Sequence, residues 1–136
     1  MLRFLDANVI LRYLTRDHPD QSARAYAFLQ QVETGEIAAT ITEAVLAEVV
    51  HVLSSKVLYN APRAEIRDRL VATLNLKGMR LRAKGTYIRA LDIYATTNLD
   101  FVDALLAVQV EQTKDAVVVS FDRDYDKIAS VTREEP

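Results

Sequence analysis

FLDANVIL, residues 4–11, places two apolar residues before an aspartate and resumes an apolar run at Val9. Leu2 to Leu5 reads as a short strand. Val9 to Leu14 reads as the start of a helix that ends near Arg16. The change from strand to helix at a single carboxylate is the reading that decides the fold. Asp6 there is either a polar turn residue that caps the next helix, or a ligand delivered by the end of a buried strand.

The same alternation continues along the chain. Pro19 opens a second helical stretch, with Ala23, Ala27, Phe28 and Val32 at helical spacing, and Gly35 stops it. Glu36 to Ile41 reads as a second strand. Thr40-Ile41-Thr42-Glu43 has the form of a T-x-x-E capping box. The helix after it runs to about Ser55, with Val45, Val49, Val52 and Leu53 on one stripe. Pro62 opens a helix carrying Ile66, Leu70 and Leu74. Met79 to Arg82 reads as a short strand. Thr86 to Thr96 reads as a helix with Ile88, Leu91 and Tyr94 or Ala95 facing in. Asp100 caps a helix from Phe101 to about Thr113. Ala116 to Phe121 is a β-branched run of the kind buried on both faces of a sheet. A short helix from Tyr125 to Ala129 and a last strand follow. Short strands alternating with longer helices predict an α/β layer fold with a mostly parallel sheet. In such sheets ligands sit beyond the carboxyl ends of the strands. Asp6 and Asp122 each follow directly on a strand.

The bulk composition narrows the class. The chain has 136 residues, enough for one domain spanning 1–136. Half of its residues are hydrophobic and 26% are charged, so it has the makings of a core. Only the polar tail 132–136 has a composition suited to disorder. The absence of cysteine excludes disulfides and thiolate metal sites and fits a reducing cytoplasm. No apolar run approaches the ~20 residues of a membrane helix. The N-terminus has an aspartate inside its apolar stretch, and we expect no signal peptide. The net charge of −2 hides a segregation: residues 1–62 carry −2, residues 63–89 carry +6 and residues 90–136 carry −6. A basic surface beside an acidic one suits a polyanion and a cation; two solvated faces would show the same pattern.

Four acids stand where apolar residues are expected. Asp6 ends the first strand. Glu48 lies within the stripe of Val45 and Val52. Asp103 opens Ala104-Leu105-Leu106-Ala107. Asp122 ends Val117-Val118-Val119-Ser120-Phe121. Each has an ordinary explanation of its own. Asp6 would cap a helix, Glu48 would snorkel to water, Asp103 would sit in a favourable helix dipole and Asp122 would belong to a turn. Taken together, the four would crowd one end of the proposed sheet. Two like charges ~4 Å apart repel by about 4 kcal/mol at an effective dielectric of ~20. Such a cluster needs protons or a divalent ion, and all-oxygen ligands suit Mg²⁺ or Mn²⁺. Glu43 competes with Glu48, but five residues turn it about 140° away, and the capping box already accounts for it. Glu48-Val49-Val50-His51 is a single E-x-x-H where di-iron bundles need two. Asp122-Arg123-Asp124-Tyr125-Asp126 fails as a calcium loop, with Lys127 at position six and Arg133 at position twelve.

FLDANVIL, then AEVV with Glu48, DFVDALLA with Asp103 and VVVSFDRDY with Asp122 together resemble PIN-domain ribonucleases. Within that family they are most similar to the small VapC-type toxins of bacterial toxin–antitoxin pairs. The resemblance runs from Met1 to about Ile128. It implies a three-layer fold with a short, mostly parallel central sheet flanked by helices. It implies that Asp6, Glu48, Asp103 and Asp122 hold one or two Mg²⁺ or Mn²⁺ ions, with Asn8 as the polar residue two positions after the first acid. Ser120 stands where the family usually has threonine, and Asp124 is an auxiliary candidate. The implied reaction is endonucleolytic hydrolysis of RNA by a metal-activated water. Arg and Lys of residues 63–89 would hold phosphates, and Tyr13, Tyr59 or Tyr87 would stack a base. The implied partners are a second copy of the chain and a cognate antitoxin, seated near 26–32 and 50–59. Two other readings stay open on the residues alone. One is a non-catalytic RNA- or protein-binding scaffold of the same fold. The other is an aspartyl-phosphate phosphatase, suggested by Asp6-Ala7-Asn8 but lacking its second aspartate.

Overall fold

Strand β1 (Leu2–Phe4) is followed by helices α1 (Ala7–Thr15) and α2 (Pro19–Glu33), strand β2 (Ala38–Thr40), and helices α3 (Glu43–Ser54) and α4 (Arg63–Leu74). Then come α5 (Lys84–Thr96), α6 (Phe101–Glu111), strand β3 (Val118–Val119), a 3-10 helix (Arg123–Lys127) and strand β4 (Arg133–Glu134). The computed structural model describes residues 1–136. They form two compact units, Met1–Arg82 and Ala83–Pro136. The class is α/β with six helices and short parallel strands, as the alternation predicts.

In the first unit β1 pairs in parallel with β2, Arg3 opposite Ala39. The ladder carries on past β1, where Leu5 N–H donates to the Thr40 carbonyl at 2.9 Å. The strand that Met79 to Arg82 was expected to form reduces to a single parallel bridge between Met79 and Ala39. Helix α1 buries Ala7, Ile10 and Leu11 at helical spacing and packs on α2 and α3. Helix α2 starts with Pro19 at its first turn, and its chain leaves through Gly35 at φ +80°, a conformation that costs glycine little. Helix α4 buries Ile66, Leu70, Thr73 and Leu74. Each fully buried aliphatic side chain contributes about 1.5–3 kcal/mol.

Two expectations for α3 are corrected. The N-cap is Thr42, whose hydroxyl accepts the Val45 N–H at 3.2 Å. Thr40 is committed to β2, so the capping box from Thr40 to Glu43 does not form, and Glu43 becomes the first helical residue. The buried stripe is Leu46, Val49, Val50 and Leu53, with Val45 and Val52 at its margins. Glu48 therefore lies on the exposed face, outside the apolar stripe.

In the second unit α5 packs on α6 through Ala90, Leu91, Ile93 and Tyr94 on one side and Phe101, Ala104, Leu105, Ala107 and Val108 on the other. Strand β3 pairs in parallel with β4, Val118 opposite Arg133. The run from Ala116 to Phe121 is not buried on both faces as expected. Val118 is buried, whereas Val119 is 59% exposed and Phe121 73% exposed. Only two residues of the run form a ladder, because β4 is only two residues long. Arg133 ties these pieces together. Its guanidinium donates to both Asp126 carboxylate oxygens at 3.0 and 3.1 Å and to the Ser120 carbonyl at 2.9 Å. The paired guanidinium holds the Asp126 carboxyl below its usual value.

Candidate active site

The first unit delivers Asp6 and Asn8 from the end of β1. Asp6 occupies the N-cap position of α1, yet its side chain makes no capping bond, so capping does not explain its presence. Both residues line a cavity of about 620 Å³ together with Arg3, Phe4, Arg24 and Phe28. Glu48 projects from α3 and does not line that cavity.

The second unit brings Asp103, Asp122 and Asp100 into mutual electrostatic range. Asp103 stands half-buried in the first turn of α6. Burial raises its pKa, Asp100 raises it further, a hydrogen bond donated by the Tyr125 hydroxyl opposes the rise, and Asp122 adds to it. Tyr125 is almost wholly buried. Burial, then the charge of Asp103, pushes its phenol up to about 12, so it remains a donor throughout the working range of pH. Asp100 was expected to cap α6. It holds the N-cap position, but its carboxylate makes no capping bond. Asp122 caps the 3-10 helix, its Oδ1 accepting the Asp124 N–H at 2.9 Å. Ser120 Oγ accepts the Asp122 N–H at 3.0 Å. The hydroxyl at 120 thus fixes the turn that aims Asp122. Asp124 is engaged with Lys127 at 3.1 Å, an exposed pair of small worth.

Asp6, Glu48, Asp103 and Asp122 form no ion pair, although Asp17, Glu65, Glu111 and Asp126 all do. Their donor chemistry is that of a hard divalent cation's ligands, oxygen only and anionic. Neither unit by itself draws three acids or histidines to the spacing of a ready-made metal site. Like charges without a counter-ion hold apart in this way.

The sequence reading missed Tyr125, which it took for the start of a helix. A hydroxyl three residues past a strand-end acid was the available signal. It also missed the surroundings of Asp6, because Phe4 was counted as an ordinary strand residue. The tyrosines proposed for stacking are otherwise engaged. Tyr13 stacks on Tyr26 with centroids 6.1 Å apart, and the Tyr59 hydroxyl donates to Asp17.

The raised pKa of Asp103 makes a stability prediction. The folded state binds this proton more tightly than the unfolded state, so stability is withheld at neutral pH. It returns as pH falls through the folded value towards the ordinary ~4 of an aspartate. Asp103→Asn keeps an acceptor for Tyr125 and removes the charge. In metal-free buffer at pH 7 it is expected to melt roughly 2–5 °C above wild type, the gap closing near pH 4. Thermal melts across that range check this. A lower melting temperature for the variant at pH 7 would contradict it.

No curated protein matches the chain. Residues 3–131 match the family model of the PIN domain, a group whose members are generally nucleases and typically use divalent metals. A match that runs through both units and nearly the whole sequence, over the same strand-end acids, shows that this chain belongs to the PIN domain family.

Proposed function

We propose that this PIN-domain protein is a Mg²⁺- or Mn²⁺-dependent endoribonuclease that acts as the toxin of a VapC-type toxin–antitoxin pair. The observation that carries the reading is the unpaired state of Asp6, Glu48, Asp103 and Asp122 in a chain that elsewhere pairs its acids. These four carboxylates are the proposed metal ligands. When bound there, the ion supplies a water of lowered pKa and positive charge for the phosphoryl oxygens. Asn8 orients the Asp6 carboxylate or a water beside it. Ser120 and the Asp124 N–H hold the Asp122 carboxylate in its turn, and Tyr125 holds that of Asp103. Asp124 is an auxiliary ligand once released from Lys127. His18 and His51 are both exposed, and neither is needed as a base.

The toxin reading brings a cytoplasmic location, a homodimer and a cognate antitoxin. Val57 and Leu58, both exposed after α3, supply apolar surface for such contacts. The expected antitoxin surface is only partly available. Leu29, Val32, Val50 and Leu53 fill the core of the first unit, while Tyr26 stays exposed beside a cavity of about 690 Å³. No helix is long and apolar enough to cross a membrane.

The test is incubation of total cellular RNA with the purified chain in Mg²⁺, in Mn²⁺ and in EDTA. Cutting at defined positions with either metal, and none in EDTA, is the expected result. Intact RNA in all three, from a protein shown to be folded, would favour the non-catalytic scaffold.

A further inference from the structure

The cavity beside Asp6 has walls that metal binding does not use. Its volume of about 620 Å³ falls in the range of ligand sites. Phe4, on the three-residue strand β1, is 70% exposed, and Phe28 is half-buried. Of the cavity's guanidiniums, Arg12 is committed to Gln21 at 3.0 Å and Asp17 at 3.3 Å. Arg24 meets Asp20 at 3.5 Å with both side chains largely exposed, a pair easily given up. Arg3 is half-buried and stands in no ion pair. Two aromatic rings, two available cations and the carboxylate of Asp6 thus face one space.

The basic segment 63–89, expected to hold phosphates, is largely occupied. Arg67 pairs with Asp68, Arg69 with Glu65 and the Leu14 carbonyl, Arg80 with the Lys77 carbonyl and Arg89 with Glu111. The free combination of ring and guanidinium lies next to Asp6 instead.

We infer that this cavity is a nucleotide subsite for single-stranded RNA. An unpaired base stacks on Phe4 with Phe28 behind it, and Arg3 and Arg24 hold the flanking phosphates. The inference rests on the ribonuclease reading above and names residues that deliver the strand to Asp6. Rings beside cations are the usual platform for single strands, because every base has a face to stack and every linkage a charge. An acidic peptide would use the arginines but leave the rings idle. A base within a duplex cannot present its face. Stacking reads faces rather than edges, so the subsite tolerates any base.

The test is fluorescence anisotropy with labelled single-stranded RNA decamers in EDTA, where nothing is cut. Wild type is compared with Phe4→Ala, Phe4→Tyr and Arg3→Gln, each checked by thermal melting. Phe4 is exposed, so its truncation opens no core cavity. Phe4→Ala is expected to weaken binding about tenfold, and Phe4→Tyr to remain within about twofold of wild type. Arg3→Gln is expected to weaken binding and to lower the salt slope by about 0.7, the share of one single-strand phosphate. A hairpin stem of matched length is expected to bind wild type and Phe4→Ala alike. Wild-type affinity in Phe4→Ala, or no RNA binding by wild type, overturns the subsite. So does polyglutamate that displaces RNA equally well from wild type and Phe4→Ala, since that marks a general polyanion patch. Cleavage in Mg²⁺ is scored separately. Binding through Phe4 without cutting removes the nuclease reading and leaves the subsite; cutting with normal binding by Phe4→Ala does the reverse.

Discussion

Asp6→Asn and Asp103→Asn are each expected to lower metal-dependent RNA cleavage by about 10²–10³-fold or more, with the fold retained. Asparagine matches aspartate in shape and removes only the charge. Asp6 makes no capping bond and no ion pair, so its loss leaves no partner stranded. Asp103→Asn keeps an oxygen for the Tyr125 hydroxyl. What both lose is an anionic oxygen for a divalent ion. Perturbing the shell behind a metal's ligands already costs 10–100-fold, and removing one transition-state donor costs 10²–10³-fold. Glu48→Gln is expected to fall in the same range. Glu43→Gln is the discriminating control. The argument that set Glu43 aside in favour of Glu48 leaned on a capping box that does not form. Glu43 is instead the first residue of α3, where a carboxylate complements the helix dipole. Its neutralisation is expected to leave cleavage within about twofold and to cost a few tenths of a kcal/mol in stability. Turnover of a labelled RNA substrate at saturating Mg²⁺, beside circular dichroism of each variant, checks all four. Full activity in Asp6→Asn and Asp103→Asn would remove these acids from the site, and loss of activity in Glu43→Gln would exchange it for Glu48.

The helices were legible because each carries its own evidence. Ile66, Leu70 and Leu74 recur at spacings of four and are all buried. Pro19 opens α2 and Gly35 follows its end. The strands are two or three residues long and were found mainly through what ends them, an aspartate in two cases. Where local signals were degenerate, the reading slipped. Thr40 and Thr42 are both credible caps, and only the ladder from Thr40 to Leu5 decides between them. Val45-Val49-Val52 and Leu46-Val49-Leu53 are both helical stripes, about 100° apart. Packing against α1 and α4 selects the second and turns Glu48 outward. The β-branched run ending at Phe121 reads alike whether one face is covered or two.

Candidate ligands were legible as types and positions, because a carboxylate at a strand end or in an apolar run is conspicuous. Their partners were not. Tyr125 lies 22 residues after Asp103, and nothing local announces that its hydroxyl meets that carboxylate. Phe4 illustrates the converse. Apolar character predicted burial, and the ring stands 70% exposed beside Arg3 and Asp6. Exposure of a large ring is a property of the fold around it, and no hydrophobic pattern encodes it.

Gly78→Ala is expected to be the most destabilising single methyl in the chain. A Cβ at this position would lie 2.1 Å from the Ile37 carbonyl oxygen and 2.7 Å from that of Val32. Both are backbone atoms and cannot swing aside as a side chain would. The segment cannot withdraw either. Gly78 N–H donates to Val32 O at 2.8 Å, and Gly78 O accepts from Ala39 N–H at 2.9 Å. Relieving the clash breaks at least one of these bonds. Overpacking costs about 1–3 kcal/mol and each lost buried bond about 1 kcal/mol or more. A total of about 3–5 kcal/mol is a large part of the 5–15 kcal/mol that keeps a domain folded. The melting temperature is expected to fall by roughly 10–20 °C. Gly85→Ala is the matched control. It lies in the first turn of α5 with open space where the methyl would go, and it is expected to gain up to about 0.5–1 kcal/mol. A Gly78→Ala melt within about 2 °C of wild type would mean that the chain accommodates the methyl without moving β2. The expected loss bears on function, because Gly78 O holds Ala39 from one side while Arg3 pairs with it from the other. Loosening that strand loosens the ladder of which Asp6 is the end.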